Sequence, residues 1–250
     1  MPVPVTDAYL PVERVVSGGS DGAAEVQLVK YPTPVIARRS LWVLALPLAL
    51  LVMAGCAAPQ FTYVADSSAK TYFKVPNYWH KIDDTSLASQ LKRQGFTTGG
   101  SIWDQGYDAA GSPSASHVLS ASVNKPFALA LVAPLSKAAS SAMSYNLLRD
   151  FILPVTSTSR QSAAQRGFPL KQFQLLSDSL ITPGNGVHGI REVYSYTYPD
   201  GSTDTFDQVA LTNSDSTMVY MLLVHCLSTC YSKNTDSIDT VMKSFTVGSP

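Results

Sequence analysis

The sequence predicts an α/β fold in which helices lie on an antiparallel sheet. Three observations point there. Four segments of the last third, residues 170–179, 187–198, 203–212 and 217–226, alternate or run apolar at strand length and are separated by turn-forming residues. Residues 127–132 (FALALV) are apolar without interruption, as a strand covered on both faces requires. Residues 236–245 space Ile238, Val241, Met242 and Phe245 as one helical stripe. Strands followed by helices that can cover them give a layered domain.

Taken from the N-terminus, residues 1–34 are rich in Pro, Gly and small polar residues and hold no period, so they are expected to be disordered. They are either a cytoplasmic tail or the product of a mis-assigned start, with Val35 as the alternative first residue. Residues 35–56 read as an export signal: Arg38-Arg39, then the apolar stretch 41–55, then Cys56. As a helix that stretch spans about 22 Å, short of the ~30 Å hydrocarbon core. The segment Val52-Met53-Ala54-Gly55-Cys56 resembles the lipobox of bacterial lipoproteins. The resemblance implies cleavage before Cys56 and a thioether-linked diacylglycerol on its thiol. Acyl chains would then hold the rest at the extracytoplasmic face of the cell membrane. Met53 departs from the Leu usual at its position.

Residues 57–250 form the globular domain. Strands are expected at 61–65 and 70–75 around the turn Asp66-Ser67-Ser68, and again at 79–82. A short helix should start near Asp84 or Thr85 and stop at Gly95. Residues 102–107 read as strand and 108–117 as loop. Residue 127 opens the buried strand. Met143, Leu147, Leu148 and Phe151 predict a helix over 142–152, halted by Pro154, and 157–167 reads as a mobile polar connection. The four late strands follow, with Pro199-Asp200-Gly201 and Asn213-Ser214-Asp215 as turns. Met218 to Val224 is apolar on both faces and should be central. The closing helix, 236–245, has Asp236 near its start, where a carboxylate is favourable.

The chain carries 18 basic and 18 acidic residues; four of each precede Cys56, leaving 14 and 14. A neutral domain without a basic run lacks the footprint of a nucleic-acid binder. Of the three cysteines, acylation of Cys56 would leave Cys226 and Cys230 as a pair. In an extended strand their Cα atoms would stand about 13 Å apart, so a disulfide requires the chain to turn at Leu227-Ser228-Thr229. Such a bond would be structural, worth about 2 kcal/mol. The rival is a redox pair, which ordinarily has C-x-x-C spacing at a helix start.

Other patterns look like decoys. Gly184-Asn185-Gly186-Val187-His188-Gly189 fits G-x-G-x-x-G, but a strand follows where a dinucleotide site needs a helix. Gly18-Gly19-Ser20-Asp21-Gly22 fits G-x-S-x-G inside the N-terminal tail, without the strand and helix of a nucleophile elbow. His80, His117, His188 and His225 have no metal-binding spacing and read as scattered surface or edge residues. Asp200, Asp204 and Asp207 cluster near one hairpin, as a solvated turn or a weak Ca²⁺ site. Tyr194, Tyr196 and Tyr198 share one strand face; they either pack under a helix or line a cleft. No cofactor or metal is expected.

Two stretches carry a family resemblance. Tyr72-Phe73-Lys74-Val75-Pro76-Asn77-Tyr78-Trp79 resembles the strand–Val-Pro-x-x-Trp opening of PsbP-like domains. Val219-Tyr220, His225-Cys226, Ile238-Asp239, Val241 and Ser244-Phe245 resemble their last strand and helix. That group includes PsbP subunits, Ran-binding Mog proteins and LpqN-type lipoproteins. The resemblance runs from about residue 61 to 247 and is carried by its two ends. It implies an α/β/α sandwich around an antiparallel sheet and a body that binds partners without catalysis. Three functions are therefore carried forward: an anchored binding or scaffold module for an envelope protein, a carrier of a small lipid or glycan in an aromatic pocket, and an envelope hydrolase using Ser with a histidine.

Overall fold

A computed structural model describes residues 60–94, 102–120 and 123–248. The segments 1–34 and 35–56, with Cys56, the G-x-S-x-G pattern and the proposed helix stop at Gly95, lie outside the described residues. Among the described residues no helix is long and apolar enough to cross a membrane.

The centre is a seven-stranded, wholly antiparallel sheet built from β3 (His80–Lys81), β4 (Trp103–Asp108), β5 (Phe127–Pro134), β6 (Lys171–Gly184), β7 (Val187–Thr197), β8 (Thr203–Thr212) and β9 (Met218–Leu227), in the order β3-β4-β5-β9-β8-β7-β6. The two segments apolar on both faces, β5 and β9, are neighbours at its middle, as their composition requires. Alternation then divides their side chains. Ala128, Ala130 and Val132 with Tyr220, Leu222 and Val224 enter one core; Phe127, Leu129 and Leu131 with Met221 and Leu223 enter the other.

On the first face lie α5 (Ser228–Lys243) and a three-stranded sheet, β1 (Phe61–Asp66), β2 (Thr71–Pro76) and β10 (Thr246–Val247), in the order β1-β2-β10. Phe73 joins the layers, its ring edge-on to Trp103, Tyr107 and Phe245 at 6.0, 5.9 and 6.5 Å between centroids. On the second face lie α1 (Asp84–Arg93), α2 (Lys137–Ser141), α3 (Tyr145–Arg149) and α4 (Ser157–Gln165). Leu87 and Leu91 bury the inner side of α1, and the Asp83 carboxylate caps it by accepting from the Ser86 N–H. The α/β fold with a central antiparallel sheet is therefore as expected, with a small second sheet sharing the α5 layer.

Four local readings are corrected. Residues 157–165 are helix: Thr156 caps it, its hydroxyl accepting from the Ser159 N–H, a local signal outweighing poor composition. The helix expected over 142–152 is only Tyr145–Arg149, started by Ser144, and a separate short helix capped by Ser136, Lys137–Ser141, precedes it. The closing helix begins at Ser228, eight residues before its expected start, so Asp236 sits mid-helix and not at an N-terminus. The outer strand β6 runs to Gly184, five residues past its predicted end. The glycine-rich segment is the β6–β7 turn: Asn185 and Gly186 stand at φ 53° and 75°, the pair of positive values a two-residue hairpin takes.

Candidate functional site

Cys226 is the last but one residue of β9 and Cys230 lies in the first turn of α5; they form a disulfide with Cα atoms 5.9 Å apart. Both are buried. Leu227, which precedes α5, supplies no side-chain cap, so the bond secures a helix start that the sequence leaves uncapped.

The histidines separate into two kinds. His80 is exposed and His188 lies at the β6–β7 turn, its Nδ1 2.9 Å from the Gly186 carbonyl oxygen. His117 and His225 are neither scattered nor alone. His225 is fully buried on the second face; its Nε2 accepts from the Leu119 N–H at 3.1 Å, which places the ring proton on Nδ1, 3.3 Å from Asp204 Oδ2. His117 Nδ1 is 2.6 Å from Oδ2 of Asp108, a buried carboxylate that also accepts from the N–H groups of Ala110 and Ser114. A hydrolase needs the histidine nitrogen remote from the carboxylate to face a hydroxyl. In His225 that nitrogen is taken by a backbone N–H. Both pairs tie the segment 108–119 to the sheet.

The three aspartates of the hairpin also diverge. Asp200 accepts from Ser202 within the turn, Asp204 faces the second core beside His225, and Asp207 faces the first. Among the described residues no group of three or more potential ligands is placed to hold a metal. Asp207 instead receives Arg191 through two bonds, Nε to Oδ1 at 3.0 Å and Nη2 to Oδ2 at 2.8 Å, and the Tyr231 hydroxyl at 2.9 Å. Arg191 Nη1 continues to Asp239 on α5 at 3.0 Å, and Lys243 meets the same carboxylate at 2.8 Å. Bonding to Asp207 raises the guanidinium pKa further above its ordinary range, and Asp239 is lowered, first by Lys243. This network clamps α5 to β7 and β8.

Across the sheet, Glu192 is fully buried. Its Oε1 accepts from Gln208 Nε2 at 3.2 Å, which also donates to the Leu148 carbonyl at 3.0 Å. Burial, then the charge of Asp178, pushes the carboxyl up to about 8; Arg149 pulls the other way. The Glu192 Oε2, Tyr194 hydroxyl and Gln208 Oε1 have no hydrogen-bond partner among the described residues.

The tyrosine row resolves in both of the ways its period allowed. Tyr194 is packing: it is fully buried, stacked 5.4 Å from Phe206. Tyr196 is held under the loop before α4, its hydroxyl donating to the Pro154 carbonyl, and burial pushes it up to about 12. Tyr198 donates to the Leu119 carbonyl at 3.2 Å. The outer parts of Tyr196 and Tyr198, with Phe168, Phe173, Arg160 and Lys171, line an open cleft of about 900 Å³. Arg160 lies 4.3 Å over the Phe173 ring.

The strand edge was not foreseen from the sequence. β6 closes one side of the large sheet, is exposed along nearly all of its 14 residues, and among the described residues pairs with β7 alone. Leu175, Leu176 and Leu180 project from it half-exposed. Register shifts interrupt it on either side of a regular run from Ser177 to Ile181. Its charge is sparse, and Asp178 is already held by Arg149 at 2.9 Å. Periodicity alone cannot distinguish an outer strand from an inner one when both carry leucines, and the misplaced end of β6 hid its length.

No protein-family model and no curated protein matches the chain. Solved structures similar to it include the cyanobacterial PsbP (CyanoP) of Synechocystis sp. PCC 6803, 12% identical with a TM-score of 0.42, covering 79% of this chain and 99% of that one. LpqN of Mycobacterium tuberculosis, involved in cell envelope biogenesis, is 15% identical with a TM-score of 0.42, over 75% and 90% of the two chains. The Ran-binding protein Mog1p of Saccharomyces cerevisiae is 8% identical with a TM-score of 0.40, over 76% and 96%. Likeness of this degree concerns the path of the chain and does not extend to ligand or partner, nor does it assign a family.

Proposed function

We propose that this chain is a lipoprotein of the cell envelope, anchored through Cys56, whose domain binds a partner protein and carries out no catalysis. The anchor rests on the order Arg38-Arg39, apolar stretch, small residues, Cys56. The observation that carries the binding half is the open edge of β6. An edge left unpaired among the described residues, beside exposed leucines, is suited to take up an extended segment by strand addition, with alternate side chains giving selectivity. The His–Asp pairs and the arginine clamp, by contrast, serve architecture: the pairs fasten a loop and the clamp fastens α5.

Two measurements test this. Intact mass of protein extracted from membranes is expected to show Cys56 as the first residue with acyl chains attached, and Cys56→Ala to leave the membrane fraction or stay unprocessed. A photoreactive residue at Thr182 in β6 is expected to crosslink a partner in native membranes, and Leu176→Lys with Leu180→Lys to abolish the product while the fold persists. An acylated chain with no crosslink from β6 overturns the binding reading; an unacylated one overturns the anchor.

A second reading is favoured by the aromatic cleft at Tyr196 and Tyr198: carriage of a glycan or lipid headgroup, for which flat rings and the Arg160 and Lys171 cations are suited. The cleft is open, so it fits a headgroup better than an enclosed acyl chain. A Phe173→Ala variant that loses glycan binding while keeping its β6 crosslink would establish it.

A further inference from the structure

The outer face of the small sheet carries a surface that packing does not explain. In the β1–β2 register Tyr63 stands opposite Lys74 and Ala65 opposite Tyr72, so these four share a face; Phe61 joins them by the two-residue period. The opposite face sends Val64, Phe73 and Val75 into the core. On the outer face Tyr63 is 79% exposed and Tyr72 43%, and Tyr78, just past β2, is 52% exposed. Lys74 Nζ sits 4.5 Å over the Phe61 ring. Of its neighbouring carboxylates, Asp66 is engaged in its own turn with Ser68 and Ala69, and Asp236 of α5 lies at the other end, lining a shallow depression with Phe61 and Tyr78. The patch is therefore aromatic, with Lys74 among its rings.

Its place in the chain says what would cover it. Phe61 lies five residues after Cys56. A fully extended chain spans at most about 3.5 Å per residue, so β1 can stand no more than about 17 Å from an acylated Cys56. Tyrosine collects at the membrane–water interface, where its ring is half buried and its hydroxyl stays wet. A lysine beside it meets anionic headgroups. β6, in contrast, is an outer strand of the other, seven-stranded sheet.

We infer that the outer face of β1 and β2, through Phe61, Tyr63, Tyr72 and Tyr78, docks on the lipid surface beside the anchor and fixes the orientation of the domain. This rests on the lipid-anchor reading above. It leaves β6, which belongs to the other sheet, outside the docked face and converts a loose tether into a two-point attachment.

The test uses the full chain expressed with its own leader and purified acylated, placed in phosphatidylethanolamine–phosphatidylglycerol vesicles with brominated acyl chains. Two tryptophan reporters are compared, Tyr63→Trp and Leu176→Trp; the resident Trp79 and Trp103 are buried and common to both. Quenching of the Tyr63→Trp reporter by bromine is expected to exceed that of the Leu176→Trp reporter at least twofold, and a Tyr72→Ser, Tyr78→Ser background is expected to remove the difference. Equal quenching in a preparation whose mass shows the acyl chains overturns docking and leaves the anchor standing. So does a Tyr63→Trp reporter unquenched by lipid yet shielded from acrylamide in native membranes, since a protein would then cover the patch. A mass without acyl chains removes the anchor and, with it, this inference.

Discussion

At the scale of single residues, the largest energetic statements belong to buried ionisable groups. Glu192 holds its proton up to about pH 8, against an ordinary value of 4.5, because burial and then Asp178 disfavour its charge. Between those values the folded chain keeps a proton that the unfolded chain has released. Stability therefore falls as pH rises from about 4.5 to about 8, by at most about 5 kcal/mol. Urea unfolding across that range is expected to show the decline, and Glu192→Gln to flatten it; a wild-type curve already flat there would refute the assignment. Arg191 makes the opposite case. Removing it with Arg191→Ala leaves Asp207 buried without its cation, an expected loss of about 3–5 kcal/mol by thermal or urea unfolding. Neither role was legible in the sequence. Glu192 and Arg191 are adjacent on a strand that sends them to opposite faces, and what each meets comes from β8, α3 and α5. Cys226 and Cys230 were legible as a pair, because a bond between them requires the chain to turn where the strand ends, and it turns there into α5.

At the scale of elements, legibility followed the strength of local rules. β8 spans 203–212, as its alternation predicts, and the centrality of β5 and β9 follows from having no polar face to offer water. Helices on the second face were misread where capping hydroxyls outweighed periodicity, as Thr156 does for α4. The start of α5 was missed because its first two turns are polar and half-exposed, held by the disulfide and not by an apolar stripe. That gives the disulfide a measurable task. Closing so short a loop contributes about 2 kcal/mol, so Cys226→Ser with Cys230→Ser is expected to lower unfolding free energy by that amount. The loss should appear first as faster hydrogen exchange over the opening turns of α5, while Ile238, Val241 and Met242 keep the later turns on the sheet. Uniformly faster exchange along α5 would instead mean that the arginine clamp depends on the bond.

For the whole molecule, the governing fact is that two cores share one sheet. β5 and β9 give alternate side chains to opposite faces, so neither layer keeps its floor when the other is lost. The antiparallel ladder between them is continuous from Phe127 opposite His225 to Pro134 opposite Met218. Such a body is expected to unfold as one unit, and a cavity on one face should be felt on the other. Leu222 tests this: it is fully buried on the α5 side, and Leu222→Ala is expected to cost about 2–5 kcal/mol. Hydrogen exchange of the slowest amides in α5, which lies on the damaged face, and in α1, which lies on the other, is expected to accelerate by the same factor. If α1 keeps its protection while α5 loses it, the second core is stable alone and the sheet does not couple the layers. Equal losses would mean that a partner strand added at β6 stabilises the tyrosine-bearing face by the same free energy as the core under α5.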